Sequence, residues 1–340
     1  MKRWLCLSLC LALLLCGCQS APETQDTPPS TQQTEQTYPE DATVVGVCFP
    51  QSDGIWADRF HFWESALEEL GYYGVLRDAQ ADVFLQMQQV EELVDKVDLL
   101  VIAPLDSAML SLSLASAQIP IIAYDSMLTD TDKVSYLVTF DYFQMGQAMG
   151  REVYSHLDTA KTMELFMGQA EAEQSLRYYQ GLMDILSYSI DEGMLSIPSG
   201  HVAFEDTAVA GGEKALAEKT LQRYIELYYT TPATETAPEV VENPQIIIAG
   251  SDQIAQGCLS RLSAPAMVCG LGGTDTEGLR FSISKDYPGL DDACLLAVQA
   301  LVSGQTPETN LEGGMFNNAV NIPTWLGTYN FLYSEEETTA

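Results

Sequence analysis

Short apolar runs alternate with longer stretches whose apolar residues recur every three or four positions, and the rhythm repeats about every thirty residues. Residues 43–50, TVVGVCFP, are a β-branched run closed by proline and predict a buried strand. After the loop QSDGIW, the residues Trp56, Phe60, Trp63, Leu67 and Leu70 fall at helical spacing, and Gly71 supplies a stop. A strand at 73–77, a helix over VFLQMQQVEELVDKV, a strand with a polar end in DLLVIAPLD and a helix in SAMLSLSLASAQ follow. Residues 119–146 hold the stretch around which the rest is arranged. It reads as a strand over 120–124, a polar end at Asp125 and Ser126, a loop, and a second strand over 135–140. Asp141 is then placed to cap a helix beginning near Tyr142.

The alternation restarts beyond that helix. TMELFMG predicts a strand, QSLRYYQGLMDILSYSI a helix and MLSIPSG a strand. KALAEKTLQRYIELYY is a helix with Leu216, Leu221, Tyr224, Ile225 and Tyr228 on one face, and TTPATETAPEVVENP is a loop. PQIIIAGSD, AMVCGLGG and RFSISKD read as strands, QIAQGCLSRL as a short helix, and residues 290–302 as another. A loop with Asn317, Asn318 and Asn321 leads to an apolar tail. The expected fold is α/β: two doubly wound, Rossmann-like parallel-sheet lobes joined by a multi-strand hinge. Ligands of open α/β sheets bind beyond the carboxyl ends of strands, so the strand ends APLD, AYDS, TFD, AGSD and SISKD are expected to line a cleft between lobes.

Composition narrows the function. With 340 residues there is room for two domains, each with its own core. The 48 acidic residues against 15 basic ones give a formal charge of −33, which opposes nucleic acid and anionic membrane surfaces. Residues 1–18 join a basic start (Lys2, Arg3) to an apolar run too short to span a bilayer, a secretory leader. Its end, Leu15-Cys16-Gly17-Cys18, resembles the bacterial lipobox, which makes Cys18 the expected lipid attachment site. Residues 19–42 then form a tether rich in Thr, Gln, Pro and Glu. Lipidation would hold an exported domain at the membrane without spanning it. Cys48, Cys258, Cys269 and Cys294 are expected to be buried free thiols, and spacing alone does not support a Cys258–Cys269 disulfide. No CxxC or clustered histidine suggests a metal (His61, His156 and His201 are scattered), and no cofactor is expected. No Ser–His–Asp order, P-loop or zinc spacing is present, and GLGGTD lacks the dinucleotide fingerprint, so the chain is not expected to be an enzyme.

In chain order, VVGVCFP with Trp56 and Asp58 after it, LLVIAPLD, IPIIAYDS with VSYLVTFDYFQMG, MELFMGQAEAEQSLRYYQG, IIIAGSDQIAQG and RFSISKD resemble the type I periplasmic solute-binding proteins. They are most similar to the xylose, ribose and multiple-sugar branch that feeds ABC transporters. The resemblance covers most of residues 43–325 and implies lobe crossings near Phe140, near Lys285 and at 318–323. The lobes would then be 43–139 plus 286–318 and 140–285 plus 319–340. It implies a sugar held by ligand residues Trp56, Asp58, Asp125, Glu173, Gln174, Asp252 and Lys285. Trp56 matches the stacking aromatic and Asp125 the acid of a Tyr-Asp-Arg motif. Asp252 matches the acid at the start of a second-lobe helix, Lys285 a polar hinge position, and Glu173 and Gln174 stand where the family has Asn or Arg.

Each assignment has a plainer counterpart. Trp56 is equally readable as core, Asp252 as a helix N-cap, Asp141 as a hinge cap, and Tyr178 and Tyr179 as packing residues. The chain also departs from the pattern. Ser126 stands in place of the arginine, Ile55 in place of another, and Gly272 and Gly273 where an acid or amide is usual. Fewer charge-assisted bonds to a ligand are the consequence. The implied partners are a small-molecule ligand, expected to be a sugar, and an ABC transporter permease. The protein is expected to be a monomer, touching the membrane only through its lipid. The alternative is a sensory protein that presents a ligand to a membrane receptor, with altered or reduced sugar binding.

Overall fold

The computed structural model describes residues 38–274, 276–307, 324–327 and 329–333. Cys18, most of the tether and Asn317, Asn318 and Asn321 lie outside the described residues. Both sheets belong to one compact unit that starts at Glu40.

The first half runs β1 (Val44–Phe49), α1 (Ile55–Glu69), β2 (Tyr73–Asp78), α2 (Val83–Leu93), β3 (Leu99–Ile102), α3 (Ser107–Ser113), β4 (Ile121–Tyr124) and β5 (Val134–Phe140). The second runs α4 (Tyr142–Ser155), β6 (Lys161–Phe166), α5 (Glu173–Asp191), β7 (Leu195–Ser196), α6 (Phe204–Thr207), α7 (Lys214–Tyr228), β8 (Thr230–Thr231), β9 (Val240–Val241), β10 (Ile246–Ala249), α8 (Asp252–Leu259), β11 (Met267–Leu271) and β12 (Phe281–Lys285). Then come α9 (Tyr287–Val302), β13 (Thr324–Gly327) and β14 (Tyr329–Tyr333). One sheet has the order β13-β5-β4-β3-β1-β2 and the other β14-β12-β11-β10-β6-β7, parallel throughout except that β14 runs antiparallel to β12. Strands β1, β3, β4 and β10 are buried at every position, as in a parallel sheet covered on both faces, which is why they read as unbroken apolar runs.

Two expectations need correction. The third crossing does not fall at 318–323. β13 pairs in parallel with β5 and so extends the first sheet, and it is β14 that joins the second, antiparallel to β12. The apolar tail thus lends one edge strand to each sheet. The loop TTPATETAPEVVENP carries a small antiparallel pair, β8 with β9.

The other two passages lie between β5 and α4 and between β12 and α9. Leaving β5, the chain enters α4, which packs on α5 of the second lobe; leaving β12, it enters α9, which packs on β5, β4 and α1 of the first. α4 and α5 approach backbone to backbone. A Cβ on Gly146 would lie 2.0 Å from the Tyr178 carbonyl oxygen, and one on Gly181 would lie 1.9 Å from that of Phe143.

Candidate functional site

Asp125 follows β4 directly and lies between the two passages. Its backbone is left-handed, with φ 61°, a conformation that costs a non-glycine residue roughly 1–3 kcal/mol. Its N–H donates to the Val138 carbonyl (2.8 Å), and its own carbonyl accepts from Thr139 Oγ1 (2.5 Å), so β5 holds the residue in that state. Three donors meet the carboxylate. Tyr142 Oη donates to Oδ1 at 2.6 Å, while Tyr287 Oη and Lys285 Nζ reach Oδ2 at 3.2 and 3.4 Å. Lys285 Nζ also donates to Tyr142 Oη (3.2 Å) and lies 4.9–5.6 Å from the ring centres of Tyr287, Tyr142 and Phe140. Burial opposes the lysine's charge, but Asp125 and the two tyrosines outweigh it and hold the ammonium above the usual lysine range. Burial, reinforced by Asp125, pushes the hydroxyls of both Tyr142 and Tyr287 up, that of Tyr287 to about 12.

Both tyrosines are delivered in the same way. Asp141 caps α4 by accepting from Gln144 N–H (2.9 Å), and Asp286 caps α9 by accepting from Gly289 N–H (3.0 Å). Tyr142 and Tyr287 are then the first residues of their helices. The sequence states this twice, as TFDYF and SKDYP. Reasoning from sequence found only the first, and the repeat was the available signal.

An aromatic wall adjoins Asp125 in the first lobe. Trp56, partly buried, lies 5.2 Å from the Phe49 ring and 6.2 Å from that of Tyr124. It therefore packs on the core without being fully covered by it. Behind the wall Asp291, fully buried, accepts from Tyr124 Oη (2.8 Å) and Trp63 Nε1 (3.2 Å) and pairs with Arg59, which is 8 % exposed. Arg59 was missed from sequence. Its position between Trp56 and Trp63, on the apolar face of α1, was the clue, as was Asp291 on the buried face of α9.

In the second lobe Ser251, not Asp252, caps α8, accepting from Ile254 N–H at 3.1 Å. Asp252 is the next residue, 4 % exposed, with its carboxylate taken by Ser282 Oγ (2.6 Å) and by Thr274 N–H and Oγ1 (both 2.7 Å). This explains two of the glycines. A Cβ on Gly270 would lie 2.0 Å, and one on Gly272 2.9 Å, from Asp252 carboxylate oxygens. Gln174 Nε2, at the start of α5, donates to Ser126 Oγ across the lobes (2.8 Å). The structure thus brings Asp125, Lys285, Trp56 and Gln174 into one neighbourhood. Asp252 is engaged within its own lobe, Glu173 pairs with Arg177 (2.8 Å), and Asp58 is exposed on the first turn of α1. Cys48, Cys258, Cys269 and Cys294 are free and buried, and burial pushes their thiols up, that of Cys48 to about 12. Among the described residues no group of three His, Cys, Asp or Glu side chains could hold a metal ion.

A family model for the periplasmic binding protein domain matches residues 45–305. The chain belongs to this family. Among similar proteins, the multiple sugar-binding periplasmic receptor ChvE of Rhizobium radiobacter is 27% identical over 317 residues, 86% of this chain and 87% of its own. The multiple sugar-binding periplasmic protein SbpA of Azospirillum brasilense is 29% identical over 206 residues, 58% of each chain. An ABC transporter solute-binding protein of Clostridium phytofermentans, solved with bound β-D-glucose, superposes with a TM-score of 0.76 at 27% identity, covering 86% of this chain and 94% of its own. The fold is that of a type I periplasmic binding protein, and such proteins are exported solute binders rather than enzymes.

Proposed function

We propose that this periplasmic binding protein captures a monosaccharide in the cleft between its lobes and hands it to an ABC transporter permease, as a monomer tethered through a lipid on Cys18. The observation that carries this reading is the juxtaposition at the strand ends. Trp56, a partly buried aromatic of the kind sugars stack on, adjoins Tyr124, the residue before Asp125, while Gln174 of the other lobe meets Ser126. The sugar-named relatives and the glucose-bound neighbour support it. D-glucose at a hundred times its Kd is expected to stabilise the protein by about 2.7 kcal/mol, read as a rise in Tm in a thermal-shift screen of aldohexoses and aldopentoses. Trp56→Ala should remove most of that rise. If no sugar moves Tm while amines or polyols do, the monosaccharide reading is wrong.

Anchoring has its own test. Cys18→Ser is expected to move the protein from the membrane fraction to the soluble one, and retention in the membrane would sink the lipid assignment. The sensory alternative draws support from a different observation: the acids at 125 and 252 both spend their carboxylates on the protein's own donors. Under that reading sugar binds weakly, and deleting the gene leaves uptake of labelled glucose unchanged. Delivery to a permease requires uptake to fall.

A further inference from the structure

Resemblance makes Asp125 a ligand contact, yet its surroundings give it other work. We propose that Asp125 is the hub of a hinge clamp, a positioning residue that sets the angle between the lobes through Tyr142, Tyr287 and Lys285 without bonding the ligand itself. The clamp deepens the binding reading and rests on it for its ligand measurements only.

Four observations converge. The carboxylate already accepts from three donors, and its side chain is only 10% exposed. An ionised carboxylate offers about four acceptor positions, so little capacity remains for sugar hydroxyls. The donors come from both passages between the lobes. Lys285 ends the last strand before one passage and Tyr287 opens the helix after it, while Tyr142 opens the helix after the other. Because Asp125 belongs to the first lobe, and Tyr142 and Lys285 to the second, two of the three contacts span the hinge. Third, the two passages use one device twice: a capping aspartate followed by a tyrosine that reaches the same carboxylate. Fourth, the ammonium of Lys285 fills a cage of three aromatic rings. Such a cage is a natural receptor for a ligand cation, and here the chain occupies it itself. Rotating one lobe against the other pulls on the two bonds that span the hinge, from Tyr142 and Lys285, while Tyr287 holds the carboxylate in place from its own lobe, so the clamp resists opening and sets the closed angle.

The test reads lobe angle and affinity separately. Spin labels on Leu112→Cys and Tyr188→Cys, exposed on α3 of the first lobe and α5 of the second, report the interlobe distance of the purified protein without ligand. Tyr142→Phe and Tyr287→Phe remove one clamp bond each, and Asp125→Asn and Lys285→Met remove the charges. All four are expected to shift or broaden the distance distribution. Each should also weaken D-glucose binding, by about tenfold or more for a lost bond to a charged group. Unchanged distances in the tyrosine variants, with glucose binding lost only in Asp125→Asn, would make Asp125 a direct ligand contact and overturn the clamp. The tyrosine variants keep the question answerable if Asp125→Asn does not fold. Should the unaltered protein bind no D-glucose, the monosaccharide reading falls and the distances alone decide the clamp.

Discussion

Asp291→Ala is expected to destabilise the protein by about 3–5 kcal/mol, measured as a fall in the midpoint of urea unfolding at neutral pH. The reason is what the substitution leaves behind. Arg59 is buried on α1, and its charge is compensated by Asp291 on α9. Removing the acid leaves a guanidinium in low-dielectric surroundings and deprives Trp63 Nε1 and Tyr124 Oη of their acceptor. The double variant Arg59→Met/Asp291→Leu should recover part of the loss, because it removes both charges, while the two aromatic donors stay unsatisfied. A single variant within 0.5 kcal/mol of the parent would show that water reaches the pair.

The pH dependence carries a definite sign. Burial raises the Asp291 carboxyl from 3.8 to about 6, against the opposing pull of Tyr124, Arg59 and Trp63. A carboxyl raised in the folded state favours folding fully below its unfolded pKa, and that contribution fades as pH climbs through the folded value. The stability deficit of Asp291→Asn relative to the parent should therefore shrink between about pH 4 and about pH 7. A deficit that grows over that window would mean that Arg59 outweighs burial. The consequence for binding is indirect. Tyr124 hangs from Asp291 at one end of the wall on which Trp56 rests, so loosening the pair should soften the aromatic face before it unfolds the lobe.

How far the residues themselves announced this arrangement depends on the distance over which each effect acts. The strands β1, β3, β4 and β10 are short apolar runs buried on both faces, so local pattern sufficed, and Asp141 sits beside the helix it caps. The Arg59–Asp291 pair could not be read this way, because its members are brought together only when α9 returns to the first lobe. Ser251 and Asp252 are both good capping types in adjacent positions, and only the backbone decides between them. The placement of β13 rests on pairing with β5, far back in the chain, which no local rhythm encodes. The Asp-Tyr repeat at the two passages was visible, but its meaning required the fold that brings Asp125 between them.

Gly181→Ala is the second large effect, expected at about 3 kcal/mol, the upper part of the range for overpacking a tight contact. Its added Cβ would meet backbone, with the Phe143 carbonyl oxygen at 1.9 Å, the Phe143 carbonyl carbon at 2.8 Å and the Gln147 nitrogen at 3.0 Å, so no side chain can swing aside. The helices must part instead. Gly146 makes the reciprocal contact from α4, with the Tyr178 carbonyl oxygen 2.0 Å from its hypothetical Cβ, so either substitution wedges the same crossing. Gly193→Ala is the control. It has open space but a φ of 75°, and should cost only about 1 kcal/mol from backbone strain. The wedge matters beyond stability because of where the two helices start. α4 begins at Tyr142, which grips Asp125, and α5 begins beside Gln174, which reaches Ser126. Forcing them apart displaces two of the contacts that join the lobes, so Gly181→Ala should widen the interlobe distance even in the fraction that remains folded. An unfolding midpoint like that of Gly193→Ala, with the interlobe distance unchanged, would show that the crossing tolerates a methyl group and that the clamp is positioned by some other part of the second lobe.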